Sequence, residues 1–186
     1  MKQLAVLALA CALAACSRHV PALEVLGSIP QFELVAQDGR PFHSQVLAGK
    51  IWLADFIYTT CPGPCPRMTS QMREVQDAVL KIPRDVRLVS FTVDPANDTP
   101  PVLAAYAKTH GASEALWYFL TGPVPTLQML DREAFKLGDI NAAMQHSTRF
   151  VLVDRQGRIR GYYDTSDAAA IPKVIADIYA LAAERT

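Results

Sequence analysis

Between Tyr58 and Pro66 the chain reads Tyr-Thr-Thr-Cys-Pro-Gly-Pro-Cys-Pro, and this stretch limits the fold more than any other. Pro62 disfavours a helical Cys61. Pro64 and Pro66 fit only a loop or the first turn of a helix. Cys61 is therefore expected on a stiff loop and Cys65 near a helix start. Upstream, the mostly apolar run from Ile51 to Tyr58 reads as a buried strand. Downstream, Met68, Met72, Val75 and Val79 recur at helical spacing and predict an amphipathic helix over about 67–81, ended by Pro83. A strand, a stiff loop and a helix in that order put both cysteines at the C-terminal edge of an α/β sheet, where ligands bind.

The rest of the chain alternates in the same way. Phe32 to Val35 and Arg40 to Phe42 flank Asp38-Gly39, a hairpin signal. Val86 to Val93 is a β-branched strand. Thr99 reads as the N-cap, and Pro100 as the first position, of a helix running to about Lys108. A short strand at Leu116 to Leu120, a helix near 124–136 and an irregular stretch over 138–147 follow. Strands at Arg149 to Val153 and Ile159 to Tyr163 flank Gln156-Gly157, and a closing helix spans Ala168 to Ala183, capped by Ser166 or Asp167. This order predicts one mixed sheet with helices on both faces and no internal repeat.

The first residues belong to something else. Met1-Lys2-Gln3 carries one positive charge, and Leu4 to Cys16 is an unbroken apolar run of 13 residues. It is too short for an ordinary membrane span, which needs roughly 20, and reads as a secretory signal over 1–15. Leu13-Ala14-Ala15-Cys16 resembles a bacterial lipoprotein cleavage motif, which makes Cys16 the lipid carrier; the alternative is an ordinary signal cleaved nearby. Residues 16–26 then form a tether to a domain over 27–186. Several acyl chains on Cys16 give lasting anchorage. The expected location is periplasm-facing. Ser17 lacks the aspartate that commonly retains lipoproteins in the inner membrane, yet the cytoplasmic membrane is favoured over the outer one. The 18 basic and 18 acidic residues cancel, which argues against a nucleic-acid binder and fits a monomer.

Of four cysteines, Cys11 leaves with the signal and Cys16 takes the lipid. Cys61 and Cys65 remain, in an oxidising compartment. Their loop is too short for them to serve as a stability staple. Two thiolates are soft ligands suited to Cu(I) or Zn(II), and two sulfurs rarely complete a site. Of the histidines, His19 lies in the tether, His43 in the first hairpin and His110 at a helix end. His146 precedes the strand at Arg149. If that strand neighbours 51–58, His146 emerges beside the cysteines and offers a third ligand. The other reading is a plain loop histidine.

Four blocks carry a family resemblance. Asp55 to Pro66 resembles the C-x-x-x-C-P signature of the Sco/SenC family, and Val93 to Pro100 its D-P-x-x-D-T-P segment. Trp117 to Gly122 resembles its W-x-x-L-T-G segment, and His146-Ser147 with Phe150 to Asp154 and Gly157 its H-S…F-L-x-D-x-x-G segment. The resemblance implies a thioredoxin-like fold in which Cys61, Cys65 and His146 bind one copper ion, Cu(I) or Cu(II). It implies a role in maturing the copper centre of cytochrome c oxidase, with the copper-bearing subunit or another periplasmic copper chaperone as partner. Asp94 and Asp98 match acidic positions associated with copper handling and partner contact, though both also fit turn and cap roles. Gln145 departs from the acidic residue common before the histidine.

The rival reading is a thiol–disulfide oxidoreductase acting on the oxidase subunit's cysteines, since a cysteine at a helix start has a low pKa. Against it stand the three-residue spacing, where such enzymes carry C-x-x-C, and the absence of Trp before Cys61. A peroxiredoxin-type peroxidase fits less well, because its Thr-x-x-Cys site differs. Met68 and Met72 fit core packing better than thioether ligation, Tyr58 reads as a packing residue and Arg149 as a surface charge.

Overall fold

The computed structural model describes residues 23–80, 85–138 and 147–184. Its elements in chain order are β1 (Gly27–Ser28), β2 (Glu33–Ala36), β3 (Pro41–His43), β4 (Ile51–Ile57), α1 (Cys65–Val79), β5 (Val86–Thr92), α2 (Pro100–Thr109), β6 (Trp117–Thr121), α3 (Val124–Met129), β7 (Arg149–Val153), β8 (Arg158–Asp164) and α4 (Ala170–Ala183). The strands form one mixed sheet in the order β1-β8-β7-β4-β5-β6-β2-β3. β4, β5 and β6 run parallel, and β7 lies antiparallel to β4.

Both predicted hairpins form. Gly39 and Gly157 take positive φ, 79° and 74°, which a side chain would strain. Asp38 and Asp154 accept the amide hydrogens of Arg40 and Gln156 at 2.9 and 3.0 Å, closing both turns. β1 is an element the sequence did not announce, because two residues are too few to show a period. It pairs Gly27 with Ile159, and Arg160 donates to the Leu23 carbonyl at 2.6 Å. The body's contacts thus reach into the stretch read as tether.

The sheet buries both faces, so β4 has no exposed residue. Ile51, Leu53 and Ile57 face α1, α2 and α4, where Met68, Met72, Val75 and Val79 pack. Trp52, Ala54 and Phe56 face α3, in an aromatic layer with Phe91 and Phe135. This is the expected thioredoxin-like arrangement. α1 begins two residues earlier than the apolar spacing suggests, because Pro66 is tolerated in the first turn, where its missing N–H would have no partner. α3 is shorter than expected, and the chain widens into a π turn over Leu130–Ala134. α4 starts at Ala170; Asp167 instead accepts the Ala169 amide at 2.9 Å, in the turn before the helix. No helix among the described residues is long and apolar enough to cross a membrane.

Candidate metal centre

β4 ends at Ile57, whose carbonyl accepts the Val93 amide at 2.8 Å, the rung beyond the paired strands. The chain then turns, with the Cys61 amide on the Tyr58 carbonyl at 3.3 Å, and enters α1 at Cys65. Both sulfurs are buried, Cys61 with 8% of its surface exposed and Cys65 with none. They are not joined by a disulfide.

The thiols differ in character. Burial works against a thiolate at Cys61, but the Cys65 thiol, the amides of Cys65 and Gly63 and the Tyr58 hydroxyl all donate to its sulfur. These donors outweigh burial and hold the Cys61 pKa below the ordinary thiol value. Cys65 moves the other way. Burial pushes its pKa up, its hydrogen bond to Cys61 adds to this, and the Tyr58 amide offsets only part. The helix start expected to acidify Cys65 thus serves Cys61. Tyr58 is a site residue that spacing does not reveal: its hydroxyl donates to Cys61, and that bond raises the phenol's own pKa.

Three buried acids lie in this region. Asp98 lies in the loop between β5 and α2 and is fully buried. It accepts the Thr59 amide at 3.1 Å, the Thr59 hydroxyl at 2.5 Å and the Thr92 hydroxyl at 2.5 Å. Asp94 accepts the Asn97 side-chain amide at 2.7 Å and has 8% of its surface exposed. Asp55 lies in β4 across the ladder from Ser90. Neither of its carboxyl oxygens has a hydrogen-bond partner among the described residues. Burial raises its pKa to about 7, which the nearby Ser90 hydroxyl tempers without well-formed bonding geometry. Ser90 itself accepts from the Trp117 indole at 2.9 Å. The negative charge of Asp55 also raises the Cys65 pKa.

The other candidates resolve simply. Met68 and Met72 are fully buried in the core. Arg149 is exposed. His43 pairs with Glu33 at 3.0 Å, and the His110 ring lies tilted against Tyr106. His146 lies outside the described residues, as do His19, Cys11 and Cys16. The strand at Arg149 does neighbour β4. β7 pairs with β4 through Trp52–Val153, Leu53–Leu152 and Ala54–Val151, and the same register carried on sets Arg149 level with Phe56. Ser147 therefore stands at the edge where β4 delivers the cysteine loop. Among the described residues, no group of three or more His, Cys, Asp and Glu side chains gathers to hold a metal ion. The donor chemistry that is present, two adjacent soft sulfurs in a loop stiffened by prolines, suits copper.

A mixed sheet of this order, with a cysteine pair between its central parallel strand and the following helix, defines a thioredoxin-like thiol protein. Residues 24–183 match the SCO1/SenC family, and the chain belongs to it. Three solved structures are similar to it. A SCO1/SenC family lipoprotein from Bacillus anthracis is 30% identical, covering 87% of this chain and 99% of its own, with a TM-score of 0.80. BsSco, a member of the Sco family of cytochrome c oxidase assembly proteins in which a disulfide switch was identified, is 29% identical, covering 89% and 100%, with a TM-score of 0.79. ScoI of Bradyrhizobium japonicum with copper bound is 24% identical, covering 83% and 99%, with a TM-score of 0.69, and shares the fold.

Proposed function

We propose that the chain is a membrane-anchored copper chaperone. It takes up one copper ion through Cys61, Cys65 and His146 and passes it by ligand exchange to the copper centre of cytochrome c oxidase. The observation that carries this reading is the pair of adjacent thiols held at the sheet edge by a proline-locked loop. Membership of the SCO1/SenC family supports it. The lipoprotein motif at Cys16 supports an anchor that keeps the site beside a membrane-bound partner.

Of the two sulfurs, Cys61 is the entry point. Its proton is held less tightly than that of Cys65 and its surface is the more accessible, so copper meets Cys61 first and Cys65 closes the site. Each thiol releases its proton as it binds. Oxidation of the pair to a disulfide passes two electrons and two protons to a partner disulfide. It removes both sulfur ligands, so thiol redox state controls metal loading.

The second reading, thiol–disulfide exchange with the oxidase subunit's cysteines, draws on the same lowered Cys61 pKa. An anaerobic Cu(I) titration of the purified chain against a competing chelator separates the two. The chaperone reading expects one copper per chain, weakened about tenfold or more by Cys61→Ser, Cys65→Ser or His146→Ala. Binding that ignores His146 sinks the three-ligand site. Little binding at all makes thiol exchange the working function, to be read from the pair's reduction potential.

A further inference from the structure

Prolines stiffen the cysteine loop from Pro62 onward, but stiffness alone does not fix a loop relative to the sheet that carries it. Once the chain leaves β4, the hydrogen bonds of Thr59 lead to one side chain, 39 residues further on in the sequence. We propose that Asp98 is a positioning residue: by holding Thr59, two residues before Cys61, it sets where the Cys61 sulfur stands against Cys65. The proposal rests on reading Cys61 and Cys65 as the working pair.

Asp98 is fully buried, and its carboxyl oxygens meet hydrogen-bond donors. The Thr59 amide approaches both carboxyl oxygens, at 3.1 and 3.3 Å, and the Thr59 hydroxyl meets one of them at 2.5 Å. The Thr92 hydroxyl meets the other at 2.5 Å. Thr92 in turn accepts the Asp94 amide at 2.9 Å, so its single hydrogen is committed to Asp98. The Asp98 amide returns to the Asp94 carbonyl at 2.8 Å, which locks the loop 94–98 as one piece. Only an acceptor without hydrogens suits this pocket. An asparagine would turn an N–H₂ toward a donor, and a glutamate would carry the carboxyl oxygens a methylene further from these donors. The carboxylate is buried and taken up by these hydrogen bonds, so its influence on the site passes through Thr59 and the turn to Cys61.

The test compares Thr59→Val, Thr59→Ser and Asp98→Asn with wild type in the full chain, after thermal unfolding has confirmed that each is folded. Two quantities are measured: Cu(I) affinity by chelator competition, and the rate at which iodoacetamide alkylates Cys61 in the metal-free protein. Thr59→Val and Asp98→Asn are expected to weaken copper binding about 10–100-fold, as loss of a second layer of support does at metal sites, and to raise the Cys61 alkylation rate several-fold. Thr59→Ser keeps the amide and the hydroxyl and is expected to restore both quantities, a rescue that a general packing role would not produce. If Asp98→Asn fails to fold, Thr59→Val against Thr59→Ser decides alone. If wild type binds no copper through the pair, the chaperone reading falls while the alkylation rates still judge Asp98. Wild-type affinity and wild-type alkylation in Thr59→Val overturn the proposal.

Discussion

β4, the floor from which the cysteine loop rises, holds Asp55, and the 94–98 loop, its wall, holds Asp98; the two buried acids are treated in opposite ways. Asp98, in the wall, receives three donors. Asp55, in the floor, receives none among the described residues and has its pKa raised to about 7 by burial. Both are fully out of solvent, so burial by itself does not decide what a carboxyl does; the donors around it do. The wall is built to keep its acid saturated and the loop in place. The floor leaves its acid exposed to the electrostatics of Cys65, at a cost in stability that a purely structural core would avoid. Cys65 from α1 and Tyr106 from α2 both feel the charge of Asp55.

The largest expected effect breaks the floor. An acid whose pKa rises from 3.8 unfolded to about 7 folded destabilises the protein as pH climbs. Below the lower value both states are protonated and nothing is lost. Between the two values the unfolded chain ionises while the folded one does not, so stability falls by about 1.4 kcal/mol per pH unit, reaching about 4 kcal/mol above pH 7. Asp55→Asn removes this penalty. The difference in urea-unfolding free energy between variant and wild type is expected to grow from near zero at pH 4 to about 4 kcal/mol at pH 8, in the variant's favour. A difference that does not change with pH would show that Asp55 is ionised in the fold and that the contrast with Asp98 is false.

This asymmetry marks the border between what the sequence tells and what it does not. The strand at Ile51, the proline-locked cysteines and the Met68–Val79 face were legible because each is a local pattern: an apolar run, fixed φ values, a 3.6-residue period. The membership of Asp98 in the cysteine loop was not, because Thr59 is 39 residues away. From sequence Asp98 looks like an acid before a helix start, and its inward turn depends on how β4 and β5 align. Asp55 did leave a trace, as a lone acid inside an otherwise apolar strand run, but its missing partners show only in the packed core. The direction of the thiol shifts was half legible. Proximity to a helix start is local, while the choice of Cys61 over Cys65 depends on which sulfur the amides and the Tyr58 hydroxyl reach.

A smaller effect sharpens the wall. Asp98→Asn leaves hydroxyl and amide donors facing an amide nitrogen, and bonds to a charged acceptor are each worth about 1.5–3 kcal/mol. A net loss of about 3 kcal/mol in unfolding free energy is expected, since part of the geometry survives. Thr92→Val deletes one donor of the same cluster and leaves the Asp94 amide short of its acceptor; about 1 kcal/mol is expected. Urea unfolding of both, and of the double variant, measures whether they share one network. Costs that simply add would mean Thr92 and Asp98 act independently, and the wall would not be a unit.

The smallest expected effect asks whether the floor supplies ligands as well as an acid. Met68 lies one turn after Cys65 and is fully buried, so a thioether could in principle stand under the metal. Its neighbours are the apolar side chains of the core that α1 shares with β4 and α4. A Leu of similar volume should therefore replace it at less than about 1.5 kcal/mol, and the stoichiometry and affinity of Cu(I) binding should stay as in wild type. If Met68→Leu keeps its stability but loses copper affinity, the sulfur is a ligand, and the floor belongs to the metal site itself. If both are retained, the division holds: the sulfurs proposed to meet the metal come from the loop, the wall sets their position, and the floor contributes packing and one acid with no hydrogen-bond partner among the described residues.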